Sequence, residues 1–291
     1  MKILYAFQGT GNGHIARAQE ITHILKKYAK VDTLISGHQS QLQLEGSIDF
    51  HQQGVSLLYN AAGGLSYRKI ILQNNFLNAT IVTRPFMVRN HISGKMEVLI
   101  QDAEFMLNLI SDQGEILWSV PVGDKIVTDV KQIDFYKNGK LQYIFATKNK
   151  LHIVDRNGEV VENYPLTIPQ NREIAHFSVV DYDNSKRYRF FVADTRGNLF
   201  LFDKEKQNLE GWQPRELSHP LSAAPIHIRV RGGDCMLALQ ADGVLNLMNR
   251  RGEMYPGFPV EIKSPVSGEF FVETGNNFET TKIHVVSDEG E

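Results

Sequence analysis

The sequence predicts a mostly antiparallel-β chain, in which short four-stranded sheets repeat behind an α/β opening segment. Three observations carry that expectation. First, Met96–Trp118 (M-E-V-L-I-Q-D-A-E-F-M-L-N-L-I-S-D-Q-G-E-I-L-W) reads as strand, tight turn, strand, glycine-closed turn and strand, and Tyr143–Tyr164, Phe190–Trp212 and Met236–Tyr255 repeat it, with Ile283–Glu291 beginning another. Second, Gly197, Gly243 and Gly290 stand 46 and 47 residues apart, the period of a supersecondary unit that buries its apolar faces by stacking on its neighbours. Third, the pattern changes near residue 75: before it lie a strand, a glycine turn and a helical repeat, and after it no long amphipathic helix.

The totals set limits. A length of 291 residues gives room for about two domains. The net charge is -2, yet residues 1–75 carry seven Lys/Arg against four Asp/Glu, so the remainder is acidic. No nucleic-acid partner is expected, because nothing here makes a broad basic surface. The single cysteine, Cys235, excludes an internal disulfide framework. Its apolar strand context reads as a buried, inert thiol. No apolar run reaches the ~20 residues of a membrane span, and Met1–Phe7 is too short for a signal-peptide core. The expected location is the cytoplasm.

Lys2–Phe7 is a short apolar run of the kind found in buried parallel strands. After the glycines, Ile15, Ala18, Ile21, Ile24, Leu25 and Tyr28 recur at helical spacing, and Lys26, Lys27 and Lys30 suit the negative end of the helix dipole. Val31–Ser36 reads as a second strand and Val55–Tyr59 as a third, half of a doubly wound unit. A dinucleotide site needs G-x-G-x-x-G and an acidic residue closing the second strand. Here the spacing is G-x-G-x-G and the strand ends in Ser36-Gly37-His38. No nicotinamide cofactor is expected, and the sequence implies no other cofactor and no metal. The glycines either let the backbone approach a phosphate or sugar, or merely allow a tight strand-to-helix turn.

Gly9-Thr10-Gly11-Asn12-Gly13-His14-Ile15-Ala16-Arg17-Ala18 resembles the N-terminal loop and first helix of MurG-type glycosyltransferases, GT-B enzymes with two facing Rossmann-like domains. The resemblance implies that His14 approaches the reacting groups, as a base for an acceptor hydroxyl. It also implies site roles for Gly11 and Gly13, with a nucleotide sugar or a glycan acceptor as ligand. Gly9 and Asn12 of the same loop are candidates for phosphate or sugar binding, and Arg17, one turn on, meets either a phosphate or a solvent-side carboxylate. Asp49–Tyr59 and Gly63-Gly64 are similar to the third strand and following loop of bacterial members. That family holds its donor chiefly in a second, C-terminal Rossmann-like domain, whose grammar is missing after residue 75. The expectation is therefore a truncated, non-catalytic Rossmann-like fragment over residues 1–75. An active sugar transferase is the alternative.

A junction over residues 76–84 leads to units at about 85–126, 127–172, 173–221, 222–266 and a partial 267–291. First strands are expected at Phe86–Asn90, Val130–Phe135, Phe177–Tyr182 and Ile226–Val230, and second-to-third turns near Asp102, Asn149, Arg196 and Asp242. Last strands are expected at Ile116–Val120, Val160–Pro165, Trp212–Leu217 and Met254–Val260. Val98-Leu99-Ile100 and Leu199–Phe202 are apolar throughout, which fits sheets covered on both faces. Trp118, Tyr164, Trp212 and Tyr255 recur at the fourth strand and read as packing between units.

These units resemble the blades of β-propeller proteins of the broad quinoprotein-like and WD40-like class, over roughly residues 80–291. The Gly-His and Trp-Asp dipeptides of true WD40 units are missing, as is any cluster for a quinone or its calcium. Asp181 and Asp183 offer carboxylates at i and i+2, too few oxygens for a calcium loop, and turn chemistry explains them better. The count of four units plus the start of a fifth predicts an incomplete propeller, and the abrupt join points to a natural fusion, a truncation or an assembly artefact. His152, His176, His227 and His284 sit in strand contexts in different units and read as structural. The functional expectation is a binding or scaffold module that takes a protein or small-molecule ligand on its rim loops.

Overall fold

The computed structural model describes residues 2–8, 30–36, 77 and 79–289. Its chain divides into two compact units, Met1–Gly123 and Asp124–Glu291.

In the first unit, β1 (Lys2–Gln8) and β2 (Lys30–Ser36) pair in parallel, in register from Lys2↔Lys30 to Gln8↔Ser36. Parallel neighbours cannot be joined by a hairpin. The connection from Gly9 to Ala29 lies outside the described residues, as does the expected third strand at Val55–Tyr59. The same unit holds β3 (Phe86–Arg89), β4 (Met96–Gln101), β5 (Met106–Ile110) and β6 (Ile116–Pro121), an antiparallel sheet in chain order. Strand β3 alternates, with Phe86 and Val88 buried and Met87 and Arg89 exposed, whereas Glu97–Gln101 of β4 is buried throughout. A core of Leu77, Val98, Ile100 and Ile110 fills one face. The buried Asp102 holds the second-to-third turn: Oδ1 accepts from Glu104 N and Met106 N, each at 3.0 Å, and Oδ2 from Asn108 Nδ2 at 3.2 Å. Its desolvation is thus offset by three hydrogen bonds.

The second unit repeats this sheet three times. Strands β7 (Lys131–Ile133), β8 (Gln142–Ala146), β9 (Lys150–Val154) and β10 (Leu166–Thr167) form the first. Strands β11 (Ile174–Val180), β12 (Arg189–Asp194), β13 (Asn198–Asp203) and β14 (Arg215–Glu216) form the next. Then come β15 (Ile226–Val230), β16 (Gly233–Leu239), β17 (Val244–Met248) and β18 (Val260–Glu261), followed by a pair, β19 (Phe271–Glu273) and β20 (Lys282–His284).

Successive residues of β12 show why these strands are apolar throughout. Phe190 and Val192 join a core with Ile144, Ile153, Phe200 and Phe202, while Phe191 and Ala193 join another with Leu199, Leu201, Met236 and Met248. One strand therefore serves two neighbouring sheets, because its side chains alternate faces. A third core sets Cys235, Leu237 and Leu239 against Leu245, Val266 and Phe270. Cys235 is fully buried, as expected, and burial pushes its thiol above the usual range. Each fully buried Phe in this stack stabilises by about 2–3 kcal/mol.

The fourth strands differ from expectation. In the second unit they contain two residues each and begin later, at Leu166, Arg215 and Val260. Val160, Asn208 and Met254 make only isolated bridges, to Val154, Phe202 and Met248. The chain then turns through Asn163, Gly211 or Gly257, all at positive φ. Pro165, Pro214 and Pro259 follow. Proline has no N–H to donate, so the ladder resumes only after it. The first strand of the repeat at about 173–221 also begins at Ile174 rather than Phe177.

Candidate functional site

Antiparallel order puts the first and third turns of every sheet at one end and the second turn at the other. At the first of these ends the turns are unequal in length: Asp134–Leu141 between β7 and β8, Asp181–Tyr188 between β11 and β12, and only Arg231-Gly232 between β15 and β16. The long loops dock on one another. Asp134, nearly buried, accepts from Asn138 N and Gly139 N, each at 2.9 Å, and from Lys186 Nζ at 2.5 Å. Tyr188 Oη accepts from Asp134 N at 3.1 Å. Asp181 accepts from Ser185 N at 3.1 Å and Lys186 N at 2.9 Å, and Asp183 pairs with Arg187 at 3.1 Å. The Ser185 hydroxyl, then Arg187, hold the Asp183 carboxyl down to about 2. Both carboxylates are thus committed to the turn, and among the described residues no group of three His, Cys, Asp or Glu is placed to hold a metal ion.

Beside Asp134 a cleft of about 440 Å³ opens between this sheet and the third turn of the next. Phe135 stands edge-on to Tyr136 at 5.2 Å and to Tyr164 at 5.7 Å between centroids, and Lys204 Nζ lies 5.5 Å from the Phe135 ring centre. Tyr164 Oη donates to Lys204 O at 3.0 Å. Burial pushes this phenol up, so it stays protonated and able to donate. Lys206 Nζ donates to Asn163 O at 2.7 Å, and Glu162 and Glu205 complete the lining. Lys206 has φ 68° in the third turn, where Gly158 and Gly252 occupy the matching places.

The next junction repeats the lock with a larger ring. Trp212, fully buried, donates from Nε1 to Arg250 O at 2.8 Å, one residue past the turn residue Asn249, as Lys204 is one past Asp203. Tyr255, in turn, meets Phe278 of the following segment at 5.4 Å. Tyr164, Trp212 and Tyr255 therefore join sheet to sheet within the Asp124–Glu291 unit. At the same junction the Arg189 and Arg250 guanidiniums lie 4.6 Å and 4.2 Å from the centre of the Tyr182 ring. Arg229 Nη1 donates to Tyr182 O at 3.0 Å. Buried Asp234 takes His227 Nε2 at 2.8 Å and Arg250 Nε at 2.7 Å.

Three of the strand histidines, His152, His176 and His227, are packed and partnered within the sheets. His152 Nε2 lies 3.0 Å from Thr147 Oγ1 and its ring stacks 5.3 Å from Phe145. Burial, then Lys150, pull it from 6.5 down to about 4, so it is neutral at pH 7. An imidazole with a lowered folded pKa binds its proton more weakly folded than unfolded. Stability is therefore full above pH 6.5 and falls as the pH drops towards 4, by about 3 kcal/mol for a shift of this size. Urea titrations across that window are expected to show the loss in the wild type and a flatter profile in His152→Gln. His176 is likewise lowered by burial, with Nε2 3.2 Å from Leu221 O.

Gly9, Gly11, Asn12, Gly13, His14 and Arg17 all lie outside the described residues. The cleft and the arginine group were missed at the sequence level. The signal for the arginine group was R-Y-R at 187–189, R-V-R at 229–231 and N-R-R at 249–251, three triplets on turns and strand ends at one end of the sheets.

No family model and no curated protein matches this chain. Among solved structures it is similar to BBS1N, crystallised in complex with ARL6DN, at 14% identity and a TM-score of 0.51, over 66% of this chain and 61% of that one. It is also similar to Saccharomyces cerevisiae Sqt1, at 15% identity and a TM-score of 0.53, over 71% of this chain and 57% of that one. The chain thus spans about three fifths of the length of those structures, and at these identities the likeness carries the fold alone. Both neighbours have WD40-like β-propeller folds, whereas no comparison supports a glycosyltransferase. Among the described residues no helix is long and apolar enough to cross a membrane. The repeated antiparallel sheets are those of a β-propeller-like fold.

Proposed function

We propose that residues 85–291 act as a protein-binding module, with the partner held at the end of the sheets that carries the first and third turns. The cleft between Tyr164 and the Lys204–Lys206 turn carries this reading. It combines an aromatic wall with a charged rim, and Tyr136 stands 53% exposed beside it. Aromatics anchored over a packed base are the usual energetic centre of protein interfaces. The complex of BBS1N with ARL6DN is a precedent for a chain of this fold taking a protein partner. The test is a photo-crosslinking residue placed at Tyr136, with Arg196 at the opposite end as control. Capture of a defined protein from position 136 alone, abolished by Lys206→Glu, is the expected result. Equal capture from both positions contradicts it.

A second reading rests on Gly9–Ala18: a sugar-transfer site with His14 as base and Gly9, Gly11, Asn12, Gly13 and Arg17 on phosphate or sugar. The motif directly follows β1, which pairs in parallel with β2 as the first two strands of such an α/β half would. Calorimetric titration with nucleotide sugars decides between the two. Saturable binding removed by His14→Ala supports transfer, and silence at millimolar donor leaves residues 1–75 as a non-catalytic appendage.

A further inference from the structure

We propose that the junction between the β11–β14 and β15–β18 sheets binds an acidic protein segment, a run of aspartate or glutamate side chains. The inference rests on the protein-binding reading of that same end and names the chemistry of the partner.

Six arginines stand on the turns and strand ends there: Arg187, Arg189, Arg229, Arg231, Arg250 and Arg251. The carboxylates at that end of the same elements are Asp181, Asp183, Asp234 and Glu253, two fewer than the arginines, and Lys186 of the same loop is spent on Asp134, in a chain whose total is -2. These carboxylates are occupied. Asp181 accepts two loop amides, Asp183 holds Arg187, and Glu253 accepts Asn249 Nδ2 at 2.7 Å. Asp234 is buried beneath His227 and Arg250. Among the described residues no carboxylate lies within ion-pair distance of Arg189, Arg229, Arg231 or Arg251.

The guanidiniums are also held in place. Arg189 and Arg250 rest on the Tyr182 ring, and Arg229 is tied to the Tyr182 carbonyl. A guanidinium has five N–H donors in a fixed fork. Arg250 spends Nε and Nη2 on Asp234, whereas Arg189 and Arg229 each use Nη1 on a backbone carbonyl and keep donors for an incoming carboxylate. Prior ordering lowers the entropy lost when a ligand arrives. Arg231 supplies reach: with Gly232 it forms a two-residue turn (φ 50° and 79°) and is exposed at the tip. The short turn stands beside the long Asp181–Tyr188 loop, so a strand-like segment laid along that step meets arginines from both sheets. A long polyanion fits less well, since the basic group is small and the rest of the chain is acidic.

The test uses the full chain and a fluorescent glutamate-rich peptide as probe. A lysine-rich peptide, duplex DNA and phosphatidylserine vesicles are the comparison arms. Saturable binding of the glutamate peptide that weakens with salt is expected, with affinity falling about tenfold or more in Arg231→Glu. Arg189→Gln keeps Arg231 and is expected to weaken binding less, and unchanged melting curves exclude a folding defect in either variant. The proposal is overturned if the glutamate peptide does not bind, if neither variant matters, or if DNA or vesicles bind more tightly. Should crosslinking at position 136 still capture a protein while the glutamate peptide fails, the acidic assignment falls and the protein-binding reading stands. Failure of both removes both.

Discussion

Trp212→Ala is expected to destabilise the Asp124–Glu291 unit by about 3–5 kcal/mol, the range for deleting a fully buried large aromatic. Trp212 is 0% exposed, stands edge-on to Phe191 at 4.9 Å, and shares its core with Leu201, Leu221 and Met236. Neighbouring sheets contribute to that core, so the cavity opens between them rather than within one. The ring also supplies the hydrogen bond to Arg250 O. Trp212→Phe keeps most of the apolar volume but leaves that carbonyl unpaired, and is expected to cost about 1–3 kcal/mol. Urea unfolding of the two variants separates packing from the hydrogen bond. A loss below about 1 kcal/mol in the alanine variant would mean that the residue packs only locally.

Next to it, Gly211→Ala is expected to lose about 3 kcal/mol or more through the backbone alone. Gly211 has φ +86°, where an L side chain costs roughly 1–2 kcal/mol. A methyl there would also overlap the carbonyl of Arg251 in the third turn of the next sheet. That carbonyl has little room to retreat, because a Cβ on adjacent Gly252 would in turn lie 2.8 Å from Gly211 O. Gly257 gives the control: it has the same φ of +86° at the matching turn but nothing within 4 Å of its Cβ position. Gly257→Ala therefore reports the conformational cost alone, and the difference between the two variants measures the close approach of two sheets. Equal losses would show that no such approach limits position 211.

Much of this framework is legible in the amino-acid order, for a physical reason. A strand buried on both faces must be apolar at every position, and turns must carry Asp, Asn, Ser or Gly. Leu199–Phe202 and the turns near Asp102 and Asp242 announce themselves accordingly. The sheet-to-sheet role of Tyr164 and Trp212 follows from their recurrence. The lengths of the fourth strands do not, because proline and a positive-φ residue delay pairing without interrupting the apolar pattern. Nor does the binding end. Phe135, Tyr164 and Lys206 lie far apart in sequence and meet only because the third turn of one sheet abuts the first turn of its neighbour. Arg189, Arg229 and Arg250 converge on Tyr182 for the same reason. The glycine motif at Gly9–Arg17 is legible as a resemblance and lies outside the described residues.

Hydrogen–deuterium exchange at the Trp212 indole tests most directly whether successive sheets of the Asp124–Glu291 unit are locked together by a buried ring that reaches its neighbour's turn. A proton on Nε1, fully buried and bonded to Arg250 O at 2.8 Å, is expected to exchange only when the sheets separate. Its protection should then match the unfolding free energy of the unit and fall in step with it in Gly211→Ala. Exchange at the rate of a solvent-exposed indole, in a protein still folded by circular dichroism, would contradict the account.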